Sequence, residues 1–314
     1  MMRIWRRLVA FTPMSAVNGQ VSMMGRASDL RANEATLAQL WAKAKIVHFS
    51  AGRLAVSAAA TELRYLSAEE ITDLIMGGEF NSGERYFLGL DQINKEPYFA
   101  WNSSHLNLNQ DEAPVGYTTL REIGGDLDEM QMELALHAVA LANWHNSHPH
   151  CARCGATTSV ALGGAIRRCD KDQSEHYPRT DSAVIVLVRD SQDRILLGRQ
   201  AIWPEGRFSC FAGFLEPGET FEQCVEREVF EESGVPLREI NYLGSQPWPF
   251  PASIMISFEA ITDSPNSARP DGEEIVEIKW LTRADLNAEV AAGTLSLPPG
   301  MSVSRKMIDR WLFA

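Results

Sequence analysis

The spacing of apolar and polar residues divides this 314-residue chain into two parts of different character. In the first part, apolar positions three and four apart predict helices over residues 34–44 and 127–145. Short apolar runs bounded by Gly, Asn or Pro predict strands at residues 46–50, 86–90 and 97–101. The pattern therefore predicts a mixed α/β N-terminal domain over residues 1–145.

After Pro178, β-branched apolar runs become frequent and predict strands, and a run with helical spacing predicts a last helix at residues 302–313. The predicted strands cover residues 182–188, 195–198, 208–212, 254–260 and 275–281. With one further helix these elements make an α/β (α+β) unit over residues 179–314. A compact segment with paired cysteines, residues 146–178, separates the two parts.

The composition, 45% hydrophobic and 22% charged, is typical of a soluble globular protein. No stretch approaches the roughly 18–20 consecutive apolar residues of a membrane span, so we expect no membrane partner. The first eleven residues, MMRIWRRLVAF, make a poor signal peptide and are predicted to be a loose tail. A net charge of −12 argues against a protein that coats nucleic acid. The five clustered cysteines are not a disulfide framework, which favours a reducing, cytoplasmic location.

A helix with defined ends is predicted over Phe221–Ser233. Thr220 and Gln223 have the spacing of a capping box, and Gly234 is a stop signal. Phe221, Val225 and Val229 recur every four residues and give the helix an apolar stripe.

Glutamates crowd the polar face of this helix. Glu228, Glu231 and Glu232 lie three and four residues apart, a spacing at which like charges repel. Converging carboxylates suit Mg²⁺ or Mn²⁺, whereas most Glu-rich helix faces are merely solvated. Arg227 lies beside them and is expected to pair with Glu219 or Glu231, steering a carboxylate.

Residues 213–235, GFLEPGETFEQCVEREVFEESGV, resemble the Nudix box, G-x5-E-x7-R-E-U-x-E-E-x-G-U, where U is apolar. The match holds at every specified position: Gly213, Glu219, Arg227, Glu228, Val229, Glu231, Glu232, Gly234 and Val235. The resemblance implies a hydrolase that cuts diphosphates held on metal ions. It also implies that residues 179–314 form a Nudix α/β/α sandwich.

Alternating prolines mark residues 245–253, SQPWPFPAS, and predict a stiff, extended loop. Such a loop would hold out Trp248 and Phe250 as aromatic faces suited to stacking a base or a nicotinamide ring, or would simply be a stiff connection. The segment resembles the signature of the NADH pyrophosphatase subfamily of Nudix hydrolases. Four more stretches extend that resemblance over nearly the whole chain: GRASDLR (25–31), FLGLD (87–91), NWHNSHPHCARCG (143–155) and EHYPRTDSAVI (175–185).

This resemblance implies the roles of individual residues. Arg227, Glu228, Glu231 and Glu232 would be catalytic, with Glu231 or Glu232 as the base. Two or three Mg²⁺ or Mn²⁺ ions would be held by Ala212 (through its carbonyl), Glu228, Glu231, Glu232 and Glu274. Substrate would contact Tyr177, Phe214, Gln246, Pro247, Trp248, Pro249, Phe250, Pro251, Ala252, Ser253 and Ser304, so that aromatic residues clamp the rings while the scissile bond lies on the metals.

The paired cysteines resemble a zinc ribbon. Cys151, Cys154 and Cys169 match three of its four ligands, and Asp172 stands at the fourth position. Zinc accepts an aspartate oxygen, and a histidine at 148, 150 or 176 is an alternative ligand. A structural Zn²⁺ or a ribbon held by packing alone are both consistent with this pattern. Cys210 and Cys224 lie in apolar stretches and are expected to be core residues.

The activity implied by the resemblance is hydrolysis of NAD(H) to nicotinamide mononucleotide and AMP, together with removal of NAD caps from RNA 5′ ends. The family also implies a homodimer. The alternatives are a Nudix hydrolase for ADP-ribose or a dinucleoside polyphosphate, and a non-catalytic nucleotide sensor. Sensors of that kind tend to lose box glutamates, and this chain retains them all.

Overall fold

The computed structural model describes residues 22–109 and 112–314, which separate into two compact units. We call Ser22–Asp181 together with Pro247–Ile254 the N-terminal unit. Ser182–Gln246 together with Met255–Ala314 form the C-terminal unit. The expected loose tail, residues 1–11, lies outside the described residues, and domain boundaries at residues 145 and 178 stay a prediction.

A seven-stranded sheet is the centre of the N-terminal unit. Its strands are β1 (Met24–Gly25), β2 (Lys45–Ser50), β3 (Arg53–Ala55), β4 (Tyr65–Leu66), β5 (Glu84–Asp91), β6 (Pro97–Asn102) and β7 (Tyr117–Thr118). The order is β1-β5-β6-β2-β3-β7, with β4 also on β2. The helices are α1 (Glu34–Trp41), α2 (Ala68–Met76), α3 (Leu120–Ile123) and α4 (Glu129–Ser147). Ile46, Phe87 and Trp101 form part of the buried core under α1 and α2.

The cysteine segment is a small antiparallel sheet of order β10-β9-β8. Its strands are β8 (Thr158–Ala161), β9 (Ile166–Cys169) and β10 (Glu175–His176). Short strands such as these bury little apolar surface, so this segment needs another source of stability.

The second large sheet has the order β14-β15-β11-β12-β16, with β13 also on β11. Its strands are β11 (Asp181–Asp190), β12 (Ile195–Gln200), β13 (Phe211–Phe214), β14 (Glu239–Trp248), β15 (Ser253–Thr262) and β16 (Ile275–Leu281). Three helices accompany them: α5 (Phe221–Ser233), α6 (Arg283–Ala292) and α7 (Val303–Phe313). Leu187, Leu197 and Trp311 belong to the core between this sheet and the terminal helix.

The structure confirms the helix Phe221–Ser233 and the strand at 275–281 with the expected bounds. The helix expected at 34–44 is shorter and ends at Trp41, because the amides of Lys43 and Ala44 bond three residues back and tighten the chain. The strand expected at 208–212 is instead Phe211–Phe214, where the backbone pairs with β11. No helix in the described ranges has the length and apolar character to cross a membrane.

Candidate active site

A capping box fixes the first residue of helix α5, and a glycine fixes its last. The Thr220 hydroxyl accepts a hydrogen bond from the backbone N–H of Gln223 (3.2 Å). The side-chain oxygen Oε1 of Gln223 accepts one from the backbone N–H of Thr220 (2.8 Å). Gly234 ends the helix with a φ of 67°, a conformation that suits glycine. Val225 and Val229 are fully buried and fix which helix face points inward.

Arg227 organises the carboxylates around it. Its guanidinium donates to both oxygens of Glu219 (2.6 and 2.9 Å), to Glu228 (2.8 Å) and to Glu231 (3.1 Å). A further hydrogen bond reaches the Phe214 carbonyl (3.0 Å). The expected pairing with Glu219 or Glu231 is confirmed, since both are present. Arg227 holds the pKa of Glu219 down at about 2, so that carboxylate is ionised and fixed.

Glu232 is the most unusual group of the site. It is only 4% exposed, and its Oε2 atom has no hydrogen-bond partner among the described residues. Burial raises the pKa of this carboxyl to about 8, and the charges of Glu274 and Glu228 add to the effect. A buried carboxylate oxygen without a hydrogen-bond partner lowers the stability of the fold unless it binds a cation or a proton.

The expectation that Glu232 lies on a polar face is wrong in one respect, because its side chain is buried although it is close to Glu228. Glu231 is 58% exposed and Glu228 14%, whereas Glu232 is buried because the Ala212 backbone of β13 lies against it and donates a hydrogen bond. The three carboxylates therefore lie at graded depths.

Gly213 makes room for Glu228. A Cβ atom at position 213 would lie 1.9 Å from Glu228 Cδ and 2.1 Å from each carboxylate oxygen. The glycine thus allows the carboxylate to lie directly on β13, and burial there raises the pKa of Glu228.

Glu274 is held in place by two residues that the sequence did not single out. Gln200 donates from Nε2 to Glu274 Oε1 (2.7 Å). Asp271 accepts hydrogen bonds from the amides of residues 273, 274 and 275 (3.2, 3.2 and 2.8 Å). The Asp-Gly pair at 271–272 is a turn signal that could have revealed Asp271. Gln200 carries no such signal, because its partner is distant in sequence.

This donor set fits a divalent cation of the Mg²⁺ class. The carboxylates of Glu228 and Glu274 both repel that of Glu232, and the buried Oε2 atom of Glu232 has no hydrogen-bond partner among the described residues, so hard oxygen donors are available to a cation. Arg227 fixes Glu219, Glu228 and Glu231 from the side, which is the role expected of groups that orient metal ligands.

The proline-rich segment, in the N-terminal unit, is a short turn between β14 and β15. Its Trp248 and Phe250 rings pack edge to face, with centroids 4.9 Å apart. The Arg121 guanidinium lies 4.1 Å from the centre of the Phe250 ring and 5.5 Å from that of Trp248. Both rings are half-buried, so they are more firmly supported than a projecting loop would be. Arg121 was missed by the sequence analysis.

Asn143 fastens this turn. Its side-chain amide donates to the carbonyls of Pro249 (2.9 Å) and Pro251 (3.2 Å), and the Asp181 amide donates to the Ala252 carbonyl (2.7 Å). The Phe250–Pro251 peptide is cis. Asn143 and Asp181 belong to the NWHNSHPHCARCG and EHYPRTDSAVI stretches, so a signal for this role was present in the sequence.

The other residues expected to contact substrate divide by exposure, and their role stays a prediction. Tyr177 and Phe214 are well exposed, and Tyr177 donates to Glu175 (2.9 Å). Gln246 is buried, with its amide group bonded to the backbone of Met301 and Val303 (2.7 Å each). Ser304 and Ser253 are buried too, while Pro247 and Pro251 are exposed.

The cysteine segment brings Cys151, Cys154, Cys169 and Asp172 together, with one ligand atom of each within 4.8 Å of the others. The Cys154 and Cys169 sulfurs are 3.5 Å apart, and Cys151 Sγ is 3.8 Å from Asp172 Oδ2. Tetrahedral Zn–S bonds of about 2.3 Å place sulfurs about 3.8 Å apart, so these spacings fit zinc.

Hydrogen bonds favour the ionised form of two members of this group, Cys151 and Asp172. Ser174 donates to Asp172 (2.5 Å) and, with its hydroxyl near Cys151, lowers the pKa of both residues. No histidine belongs to the group in the described part of the chain, and His176 instead lies 3.2 Å from the Ser174 hydroxyl. Cys210 and Cys224 are buried, as expected of core residues.

Three family models match consecutive parts of this chain. The NADH pyrophosphatase-like rudimentary NUDIX domain matches residues 43–144, the NADH pyrophosphatase zinc ribbon domain residues 146–177, and the NUDIX domain residues 179–299. Together they cover most of the described residues in the order that the motifs indicated.

Curated relatives carry matching names. The chain is 42% identical to "NAD-capped RNA hydrolase NudC" of Mycobacterium bovis over 208 residues, which are 64% of this chain and 66% of that protein. It is 35% identical to "NAD-capped RNA hydrolase NUDT12" of Homo sapiens over 198 residues, 59% of this chain and 43% of that protein. The match thus spans slightly less than two thirds of the length of the first relative and less than half of the second.

Among solved structures, a NUDIX hydrolase from Nitrosomonas europaea is similar, with 21% identity, a TM-score of 0.42, and coverage of 52% of this chain and 90% of that one. The three successive family domains, the complete box and the carboxylate site agree with one another. The chain belongs to the Nudix hydrolase superfamily and, within it, to the NADH pyrophosphatase subfamily.

Proposed function

We propose that this protein hydrolyses the diphosphate of NAD(H) to nicotinamide mononucleotide and AMP, and removes NAD caps from RNA 5′ ends. The observation that carries the proposal is Glu232, a buried carboxylate with a free oxygen beside the charges of Glu228 and Glu274. The relatives named as NAD-capped RNA hydrolases support the choice of substrate.

Glu228, Glu232, Glu274, Glu231 and the Ala212 carbonyl would hold two or three Mg²⁺ or Mn²⁺ ions, which supply charge neutralisation at phosphorus and a more acidic water. Residues of the chain hold the proposed ligands in position. Arg227 orients Glu228 and Glu231, and Gln200 and Asp271 orient Glu274. Strand β13 shields Glu232 from bulk water. Glu231 or Glu232 accepts the proton of the attacking water.

We assign ring recognition to Trp248 and Phe250, which Arg121 and Asn143 hold in a fixed arrangement. Aromatic stacking on a base is worth roughly 1–3 kcal/mol. Tyr177, Phe214, Gln246, Ser304 and the remaining residues of the turn stay proposed substrate contacts. We also propose structural Zn²⁺ on Cys151, Cys154, Cys169 and Asp172, a homodimer, and a reducing compartment, which five free cysteines support.

A single assay tests the proposal. Purified protein with added Mg²⁺ or Mn²⁺ is given NADH, NAD-capped RNA, ADP-ribose or a dinucleoside polyphosphate, and products are separated by chromatography. We expect reduced nicotinamide mononucleotide and AMP from NADH, formed at least about a hundredfold more slowly by a Glu232→Gln variant. Cleavage of ADP-ribose with NADH left intact would refute the substrate assignment, and inactivity on all four would favour a nucleotide sensor.

A further inference from the structure

The N-terminal unit contains a cavity that none of the carboxylate residues of the candidate active site lines. Its volume is about 610 Å³, and its walls come from α1, the turn before it, β5, β6 and the ribbon strands. Three guanidinium groups line it, those of Arg31, Arg85 and Arg168. Ligand pockets commonly occupy about 300–1,000 Å³, so the cavity has the size for a small organic molecule.

Two of these arginines lack an acidic partner among the described residues. Arg31 donates only to the Arg26 carbonyl (3.4 Å), and its Nε atom is buried with no hydrogen-bond partner there. Arg85 lies over the Trp41 ring, 4.2 Å from its centre. Burial lowers the pKa of both groups, which means that each charge is partly desolvated without compensation.

The remaining charges of the cavity do not cancel these two. Arg168 pairs with Glu175 (2.9 Å) at the surface. Asp170 lines the cavity, but both of its oxygens already accept hydrogen bonds, from Thr157 and Ser159 (2.7 Å each). Glu34 lies exposed on the first turn of α1. In a chain of net charge −12, a concave site with three guanidinium groups against two carboxylates stands apart.

The chemistry of this wall indicates the class of ligand. A guanidinium presents a planar fork of donors that matches phosphate oxygens, and pairing relieves the cost of its desolvation. Trp41 is 7% exposed and backs one face of Arg85, whereas Arg85 itself is exposed. A guanidinium plane supported on one side stacks readily with a nucleobase on the other.

We propose that this cavity binds a nucleotide, with its phosphate on Arg31 and Arg85 and its base against the exposed face of Arg85. The site is independent of the pyrophosphate chemistry, because none of the glutamates proposed to bind Mg²⁺ and neither Trp248 nor Phe250 lines the cavity; of the proposed zinc ligands only Cys169 borders it. The cation that completes the wall, Arg168, adds attraction for a second phosphate.

A ³¹P NMR titration tests this site. The full-length protein, without added Mg²⁺, is titrated with AMP and, separately, with inorganic phosphate. We expect saturable binding of both probes, with AMP at least about fivefold tighter because its base stacks. The double variant Arg31→Gln/Arg85→Gln should weaken AMP binding at least about tenfold, since it removes both charged donors to the phosphate. The matched control is Lys43→Gln, which removes one exposed charge outside the cavity and should change nothing.

A second variant guards against misfolding of the double variant. Ala38 lines the cavity from an exposed position on α1, so Ala38→Phe fills the cavity without changing its charge. It should also abolish this binding, with melting temperature, zinc content and NADH turnover kept near wild-type values. AMP bound elsewhere would be unaffected by all variants. Equal AMP affinity in wild type and both variants, or phosphate binding as tight as AMP, would overturn the proposal.

Discussion

At the scale of single residues, burial separates the roles of chemically identical side chains. Glu231 and Glu232 are neighbours in sequence, yet the first lies in solvent beside Arg227 and the second under β13 without a partner for one oxygen. A carboxylate in the second environment binds a proton or a metal ion far more readily than an exposed one. This difference supports the proposal that Glu232 is a metal ligand, while the choice of base between Glu231 and Glu232 stays a prediction.

Glu232→Gln should lower kcat for NADH at least about a hundredfold, because it removes a preorganised charged group at the reacting centre. The same change should raise the melting temperature of the metal-free protein near pH 7, since an amide does not have to take up a proton when it is buried, whereas the carboxyl does. Steady-state kinetics and thermal unfolding measure the two effects. Glu226→Gln, an exposed position on the same helix, is the control and should change neither. Turnover within a few-fold of wild type in Glu232→Gln would refute the metal–carboxylate mechanism.

At the scale of elements, the β14–β15 turn is held by a residue distant in sequence, whereas the cysteine segment is held by residues from its own two ends. Asn143 on α4 holds two carbonyls of the turn, and Asp172 completes a ligand group begun at Cys151.

Trp248→Ala should chiefly impair the use of NADH, by the roughly 1–3 kcal/mol that base stacking supplies. ADP-ribose, which lacks the nicotinamide ring, should lose less. Comparison of kcat/KM for the two substrates measures the difference, and Trp248→Phe should restore most of it. Equal losses on both would show that the ring only supports Phe250.

Asn143→Ala should raise KM for NADH several-fold with little change in kcat, because it frees two hydrogen-bonded carbonyls worth about 0.5–1.5 kcal/mol each. Initial-rate kinetics measure this split. Asn146→Ala, on the same helix but away from the turn's carbonyls, serves as the control. An unchanged KM in Asn143→Ala would mean that the turn keeps its shape without this anchor.

Asp172→Cys should make zinc harder to remove with a chelator and raise the melting temperature, since a thiolate suits zinc better than a carboxylate and binding stabilises the folded state. Elemental analysis after chelator treatment measures retention. Lys171→Cys adds an exposed thiol next to the ligand group and should give no gain. Zinc absent from wild type and variant alike would mean that the ribbon is held by packing alone.

At the scale of the whole molecule, acid acts on this protein in two opposing ways. Protonation reduces a net charge of −12 and the repulsion that goes with it. It also reaches buried histidines, among them His48, which stacks on Trp101 and bonds to Ser103 (2.7 Å) and Tyr117 (2.5 Å). Burial lowers the pKa of His48 to about 3.

The unfolded chain therefore takes up a proton at His48 near pH 6.5, whereas the folded chain does not until about pH 3. Stability from this group is complete above pH 6.5 and falls with decreasing pH, by about 1.4 kcal/mol per unit for one proton. Urea unfolding at pH 7 and pH 5 should show a shallower loss in His48→Gln than in wild type. His150→Gln, at an exposed position, is the control. Identical pH slopes in wild type and His48→Gln would refute this assignment.

The parts of the fold that the sequence predicted are those with local causes. Thr220, Gln223 and Gly234 fix the ends of α5 within a few residues of themselves. Strand β14 escaped prediction because it is an edge strand without regular alternation of buried and exposed residues, and it even accommodates Pro247. The burial of Glu232 and the clamp on Glu274 could not be predicted, because both depend on strands that meet the helix only in the folded chain.

Two positions of the Nudix box, Gly213 and Glu228, depend on each other, because the Glu228 carboxylate occupies the space that a side chain at position 213 would need. Because the atoms that a methyl group at 213 would strike are the mobile end of a side chain, the carboxylate and not the backbone would give way. We expect an alanine there to leave a well-folded protein in which the carboxylate of Glu228, a proposed metal ligand, points elsewhere. The proposed contribution of Gly213 to catalysis is thus to leave room for the Glu228 carboxylate. A folding assay would not detect the replacement of Gly213 by alanine.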